Sequence, residues 1–243
     1  MGANNNFFNK SRNRLVPSNF VSLWSFEDNN NDSIGSNNIP PTTYDSYVVG
    51  LIGKAFDFSS PFASLEADNN INLSFTDGAN DIEGGFSMLI KFNSVGSNQI
   101  ILNKRNNFGS SASLNREYQI NHNGTSLNFT IFDQVSGGYI IVSYPWTPTI
   151  SQWYQLQCYY DGSGLHTGLK MYVDGVSVGT TSLTGTYISN QNYNTKFVMG
   201  TDSWGRTLYF NGELDEIKKS KIVLTDAEAL ELATKELAGI KVI

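Results

Sequence analysis

Two stretches of this chain carry side chains suited to holding a sugar. Such a site needs an aromatic face for the C–H surface of the ring and planar polar groups for its hydroxyls. Thr201-Asp202-Ser203-Trp204-Gly205-Arg206 places a tryptophan between an acid and an arginine in a polar turn. Tyr144-Pro145-Trp146-Thr147-Pro148 is a second aromatic loop, and Asn106, Asn107 and Phe108 are weaker candidates. The carbohydrate-binding candidates are therefore Trp204, Arg206, Asp202, Trp146 and Tyr144. Each tryptophan has a plainer reading as a half-buried loop anchor, and whether the two loops converge is left open. Other chemistries find less support. Serine-type catalysis needs a histidine base, and the chain has only His122 and His166, both beside turn residues and read as solvated loop histidines. One cysteine and two scattered histidines exclude a typical zinc site. No glycine-rich loop precedes a helix, so a nucleotide cradle is unsupported.

Composition narrows the partners. The chain has 243 residues, 40% of them hydrophobic and 13% aromatic, enough for the core of one large β-sandwich. Abundant Gly and Asn add turns, which favours an all-β protein. A net charge of −6 argues against nucleic acid or an anionic membrane surface as the main partner, but not against neutral sugar. No stretch approaches the roughly 18 apolar residues of a membrane-spanning helix. The start, Met1-Gly2-Ala3-Asn4-Asn5-Asn6, lacks the apolar core of a signal peptide, so cytoplasmic synthesis is expected. Cys158 has no partner for an internal disulfide and falls within an apparent strand, where a core thiol is expected.

The elements that would position these residues are mostly strands. Residues 1–17 form an Asn-rich arm with Lys10, Arg12 and Arg14 against no acid. Such a segment is disordered unless something holds it, either its own sandwich or a neighbouring subunit. Strands are expected at Val21–Phe26, Val48–Phe58, Phe86–Phe92, Ile100–Lys104, Glu117–Asn121, Leu127–Phe132, Tyr139–Ser143 and Trp153–Tyr160, with a short one at Ile71–Phe75. Leu169, Met171 and Val173 alternate with Lys170 and Tyr172, the period of a half-buried strand. Asp174-Gly175 then makes a tight type I′ turn into a strand beginning at Val176. Further strands follow at Phe197–Met199 and Leu208–Ile217. Short strands at this spacing indicate an antiparallel sandwich of about 12 to 14 strands. One helix is expected over Asp226–Ala238, with a capping box of Thr225 and Glu228. Its apolar stripe reads Ala227, Leu230, Ala233 or Thr234, and Leu237. The domain plan is an arm over 1–17, a sandwich over 18–224, and a helix and tail over 225–243.

Five motifs carry a resemblance. Trp153-Tyr154 with Tyr160-Asp161-Gly162, then Leu169 to Gly175, then Phe210-Asn211-Gly212-Glu213-Leu214-Asp215-Glu216-Ile217 match the forms W-x-h-v-a-x-x-y-D-G, L-x-l-Y-v-D-G and F-x-G-x-I-D-E-v-x-i. Thr225-Asp226-Ala227-Glu228 supplies the helix opening that follows them. Gly53 to Phe58 fits G-x-A-l-x-F. In this order the motifs resemble the laminin-G-like branch of the concanavalin A-like lectin/glucanase superfamily, over about residues 18 to 235. The resemblance implies an all-β, antiparallel jelly-roll sandwich with one short C-terminal helix.

It also implies sites to test. The superfamily's retaining glucanases carry E-x-D-x-E on one strand, where alternate carboxylates face one sugar. Glu213 and Asp215 fill the first two positions, Ile217 replaces the third, and Glu216 is expected on the opposite face. Catalysis is therefore not expected. Many laminin-G-like domains hold Ca²⁺ at the sandwich rim, which here would fall to Asp28, Asp32 and Asp215, with Glu27 in reserve. The plainer reading is that Asp28 and Asp32 are turn residues and that Asp215 accepts backbone N–H groups. A lectin-like fold without catalytic residues, joined to a basic arm and an unprocessed start, suggests a phage virion surface component, capsid-decorating or fibre-associated; the alternatives are a free-standing carbohydrate-binding lectin module and, against the missing third carboxylate, a glycoside hydrolase. The virion component would bind other virion or assembly subunits through its arm and adhere to glycans.

Overall fold

A computed structural model describes residues 15–106, 115–202 and 207–243. Fifteen strands and one helix lie among the described residues: β1 (Phe20–Trp24), β2 (Tyr47–Val49), β3 (Lys54–Asp57), β4 (Leu65–Ala67), β5 (Gly84–Phe92), β6 (Asn98–Asn106), β7 (Asn115–Asn123), β8 (Ser126–Asp133), β9 (Gly138–Pro145), β10 (Trp153–Tyr160), β11 (Leu169–Val173), β12 (Val176–Val178), β13 (Thr180–Thr184), β14 (Phe197–Met199), β15 (Gly212–Ser220) and α1 (Asp226–Leu237). They form two antiparallel sheets. One runs β12-β11-β10-β5-β15-β3-β2, with β1 also paired to β15; the other runs β13-β9-β8-β7-β6-β14-β4. The expected jelly-roll sandwich is the observed fold.

Between the sheets lies an aromatic-rich core. Trp24, Phe56, Phe75, Phe86, Phe92, Tyr118, Phe129, Phe197 and Phe210 are each fully buried. Phe86 of one sheet stacks on Phe197 of the other, with centroids 5.5 Å apart. Facing rings at this separation combine large apolar burial with favourable ring geometry. Cys158 sits in this core, and burial pushes its thiol pKa far up.

Local chemistry explains where the elements start and stop, and where the sequence reading needs correction. The stretch read as one strand over Val48–Phe58 is two, β2 and β3, turning at Gly50–Gly53. Gly53 has φ +64°, and a Cβ there would lie 2.0 Å from Glu27 Oε1. The Asp174-Gly175 turn has φ of +53° and +78°, as a type I′ turn requires. Ile71–Leu73 is a 3₁₀ turn rather than a strand. The short strands β4 and β13 were not read from the sequence.

On the outer side of the eight-stranded sheet sits α1, over a second apolar cluster of Leu15, Phe20, Tyr159, Tyr172, Leu224, Ala229, Leu232 and Val242. Its capping box forms as expected: Glu228 N–H donates to Thr225 Oγ1 at 3.3 Å, and Thr225 N–H donates to Glu228 Oε2 at 2.8 Å. Its buried face differs from the expected stripe. Ala229, Leu232, Ala233 and Glu236 point inward, while Leu230 is 52% exposed. The sheet beneath decides this. Lys218 Nζ donates to Glu236 Oε1 at 2.5 Å, and Gln157 Nε2 donates to the Ala229 carbonyl at 2.8 Å. Those partners turn a glutamate inward, which a hydrophobic pattern does not register.

Candidate functional site

The outer face of the seven-stranded sheet is built from alternate residues of its strands. Leu102, Ile120, Phe129 and Val142 point into the core. Side chains one residue away face outward, because successive Cβ atoms alternate across a strand. Strand register aligns these outward residues in rows. One row is Glu66, Val198, Asn103, Gln119, Thr130, Ile141 and Ser182, each paired with the next. The next row is Ile100, Asn121, Asn128, Ser143 and Thr180. Five strands thus align amides and hydroxyls side by side, about 4.8 Å apart; Gln119, Ser143, Thr180 and Ser182 reach solvent, while Asn103, Asn121, Asn128 and Thr130 are buried beneath them.

Arg105 and Arg116, paired across β6 and β7, border the rows. Arg105 Nη1 donates to Gln119 Oε1 at 2.6 Å. Burial lowers the Arg105 pKa and nearby Asp202 opposes that shift. The Arg116 guanidinium lies 4.4 Å from the centroid of the Phe132 ring, itself 5.9 Å from that of Tyr139. Gln119, Tyr139, Ile141 and Ser143 are half-buried and reach solvent. Amides donate and accept hydrogen bonds at fixed angles and guanidinium groups donate them, as recognition of a polyhydroxyl ligand needs.

The residues expected to hold sugar divide. Asp202 is 2% exposed, and its Oδ1 accepts from the N–H groups of Thr207 and Leu208 at 2.9 and 3.1 Å. It therefore braces its own loop, beside Arg105. Trp204 and Arg206 lie outside the described residues, as do Asn107 and Phe108. Tyr144 and Trp146 stack with centroids 6.3 Å apart and pack against the core. Trp146 meets Tyr154 at 4.9 Å and Phe92 at 5.7 Å. This pair closes the sandwich beside His122, whose Nε2 donates to the Trp146 carbonyl.

His122 is a further correction: it is fully buried, not a solvated loop residue. Its Nδ1 accepts from Gly124 N–H at 3.2 Å and its Nε2 donates to the Trp146 carbonyl at 2.9 Å. That pairing fixes one neutral tautomer as a loop clamp. His166 is half-buried, with Nδ1 3.0 Å from Thr181 Oγ1.

The carboxylates named for catalysis or calcium are engaged elsewhere. Glu213 pairs with Lys91 at 2.5 Å. Asp28 takes both oxygens to Lys54 Nζ, at 2.5 and 2.6 Å. Asp32 accepts four backbone N–H groups, from Leu23, Ile34, Gly35 and Asn37. Asp215 is fully buried and accepts from Glu216 N–H at 2.7 Å and from Ile52 N–H at 3.4 Å. Burial first, and then the neighbouring Glu216, push its pKa up to about 8. Among the described residues no group of three or more such side chains is arranged to hold a metal ion. Calcium takes six to eight oxygens around one point; here Asp28 is committed to Lys54 and Asp32 to backbone N–H groups.

Glu216 also departs from its expected place. A bulge lies between Asp215 and Lys218, and Glu216 has φ +48°. The extra residue swings Glu216 toward Lys218, with Oε2 3.0 Å from Nζ. Both are fully buried together with Glu236 of α1.

A laminin-G family profile, described as the concanavalin A-like lectin/glucanases superfamily, matches residues 66–229. The chain belongs to that superfamily. No curated protein matches it by sequence. Among solved structures, this concanavalin A-like chain resembles the binding domain of paraclostridial mosquitocidal protein 1. The TM-score is 0.68 at 15% identity, covering 92% of this chain and 56% of the other. It also resembles domain 4 of the extracellular arabinanase AbnA from Geobacillus stearothermophilus, solved in complex with arabinotriose. There the TM-score is 0.59 at 18% identity, covering 88% and 98%. A third is the receptor binding domain of botulinum neurotoxin D, with TM-score 0.66 at 14% identity, covering 91% and 54%. The chain spans about half the length of the two toxin domains. At these identities the likeness concerns the fold, on which unrelated functions are grafted.

The amide rows were missed because each residue looks like an ordinary polar position on a two-faced strand. Asn103, Gln119, Asn121 and Asn128 do fall at alternate positions in the sequence. Their alignment into one surface depends on cross-strand register.

Proposed function

We propose that this chain is a non-catalytic glycan-recognition domain that lays its ligand across the outer face of the seven-stranded sheet. The observation that carries this reading is the solvent-reaching polar stretch of Gln119, Ser143, Thr180 and Ser182, bordered by Arg105 and Arg116 and backed by the buried amides of Asn103, Asn121 and Asn128. Neutral amides and hydroxyls satisfy sugar hydroxyls without moving protons. Against catalysis stand the engagement of Glu213 by Lys91, the burial of Asp215, and Ile217 at the position of a third carboxylate. The neighbour solved with arabinotriose supports the reading by likeness of fold. Glycan-array binding by the full chain tests it. Gln119→Ala combined with Ser143→Ala should weaken the strongest signal about tenfold or more, since each lost hydrogen bond strands a partner. A blank array, or turnover of laminarin, refutes it.

The setting we propose is adhesion at a virion surface, with residues 1–14 tying the domain to other assembly subunits; the end of the expected 1–17 arm belongs to the domain itself, since Leu15 packs in the cluster beneath α1. Support comes from Lys10, Arg12 and Arg14 in an arm without acids; residues 1–14 lie outside the described residues. Among the described residues no helix is long and apolar enough to cross a membrane. Removing residues 1–14 should abolish self-association in sedimentation while leaving glycan binding intact. If full-length and shortened forms sediment alike as monomers, the assembly role falls.

A further inference from the structure

At the β4 edge of the seven-stranded sheet lies a cavity of about 270 Å³, lined by Pro40, Pro41, Tyr44, Phe62, Glu66 and Lys196. Two of its walls are aromatic and open to water: Tyr44 is 46% and Phe62 53% exposed. Their centroids are 5.9 Å apart, and Phe62 also meets Tyr209 at 6.2 Å. Single exposed hydrophobic residues need no explanation, but exposed rings clustered around a concavity mark a binding surface.

The rim sets the chemistry of the ligand. Lys196 Nζ lies 3.2 Å from Glu66 Oε2 and 3.9 Å from Asp68 Oδ1. Two carboxylates against one ammonium leave the rim with one negative charge, so an acidic sugar is disfavoured. The same groups offer donors and acceptors to hydroxyls. The size suits a small ligand, since pockets for drug-sized molecules start at roughly 300 Å³.

The cavity lies at the β4 end of the same sheet, with the buried Val198 and Asn103 between it and Gln119. Glu66 pairs with Val198, Val198 with Asn103, and Asn103 with Gln119. Glu66 is thus the outermost member of the row through the amides. Three strand spacings, about 14 Å, separate it from Gln119.

We propose that this cavity is a subsite for an uncharged pyranose unit at one end of the bound glycan. The C–H face of the ring lies on Tyr44 and Phe62, and its hydroxyls meet Glu66 and Lys196. This inference rests on the glycan-recognition reading above and locates one end of the ligand.

The test is calorimetric titration of the full chain with the best neutral oligosaccharide from an array that carries neutral, uronate and sialylated glycans. Phe62→Ala and Tyr44→Ala should each weaken binding about tenfold, and Tyr44→Phe should retain it, because the ring face is kept. Both residues are exposed, so melting temperatures should stay unchanged. If the double alanine variant binds like wild type while Gln119→Ala weakens binding, the glycan reading stands and this subsite is overturned. If wild type prefers sialylated or uronate glycans, the uncharged-sugar assignment is overturned. If wild type binds no glycan at all, both readings fall together.

Discussion

Replacing Lys219 by methionine should stabilise the fold, by an amount that shrinks as the pH rises. Lys219 pairs with Phe86 across β15 and β5, points into the core and is 2% exposed. Its Nζ lies 4.3 Å from the Phe75 ring centroid and 5.3 Å from that of Phe86, and donates to the Ser220 carbonyl at 3.1 Å. Two ring faces and one carbonyl replace only part of the lost hydration of an ammonium. Burial therefore lowers its pKa from 10.5 to about 7. Between the folded and unfolded values the unfolded chain binds more protons than the folded one. Stability consequently rises with pH through that window, and the penalty is largest below pH 7. At about 1.36 kcal/mol per decade of proton affinity, the penalty is about 5 kcal/mol at pH 6 and about 2 kcal/mol at pH 9. Methionine has similar length and no charge. The assay is urea unfolding of wild type and Lys219→Met at pH 6, 7.5 and 9. Asp215 pulls the other way: with its folded pKa raised to about 8, its contribution is lost as pH rises through that value. Subtracting wild type from variant at each pH cancels it. The advantage of the variant should fall by about 2 to 3 kcal/mol from pH 6 to pH 9. A constant difference, or a variant less stable than wild type at pH 6, would refute the reasoning.

Three further outcomes follow from the same geometry. Glu236→Gln leaves buried Lys218 with Glu216 as its remaining carboxylate, and should cost about 3 kcal/mol in urea unfolding; a loss under about 1 kcal/mol would mean the cluster contributes little net pairing. Thr225→Ala removes the N-cap acceptor of α1 and should cost about 1 kcal/mol by the same assay, with Thr225→Ser restoring most of it. Melting curves in chelator and in millimolar calcium should coincide, since Asp28, Asp32 and Asp215 are each otherwise engaged; a clear rise with calcium would reveal a folded-state site formed by other groups.

Local patterns carried much of the architecture. Alternation at Leu169–Val173, the Asp174-Gly175 turn and the Thr225/Glu228 capping box are each contained within a few consecutive residues. So was the core location of Cys158, which alternates with Leu156 and Tyr160 along its strand. The motifs that pointed to the concanavalin A-like superfamily are of the same kind: strand ends and turns whose chemistry is local.

The tertiary structure decided everything that depends on how strands meet. A single bulge after Asp215 inverts the alternation rule and sends Glu216 to Lys218. Lys218 in turn fixes which face of α1 is buried, by drawing Glu236 inward against the apolar pattern. His122 and Lys219 look like surface residues by type, yet each occupies a core-facing register position. Glu66, Asn103 and Gln119 fall in one register row because β14 brings β4 beside the β6–β7 hairpin. The side-chain period along a strand is written in adjacent residues. Register between strands is set by the packing of the whole sandwich, and that is why the candidate glycan face was not legible in the sequence.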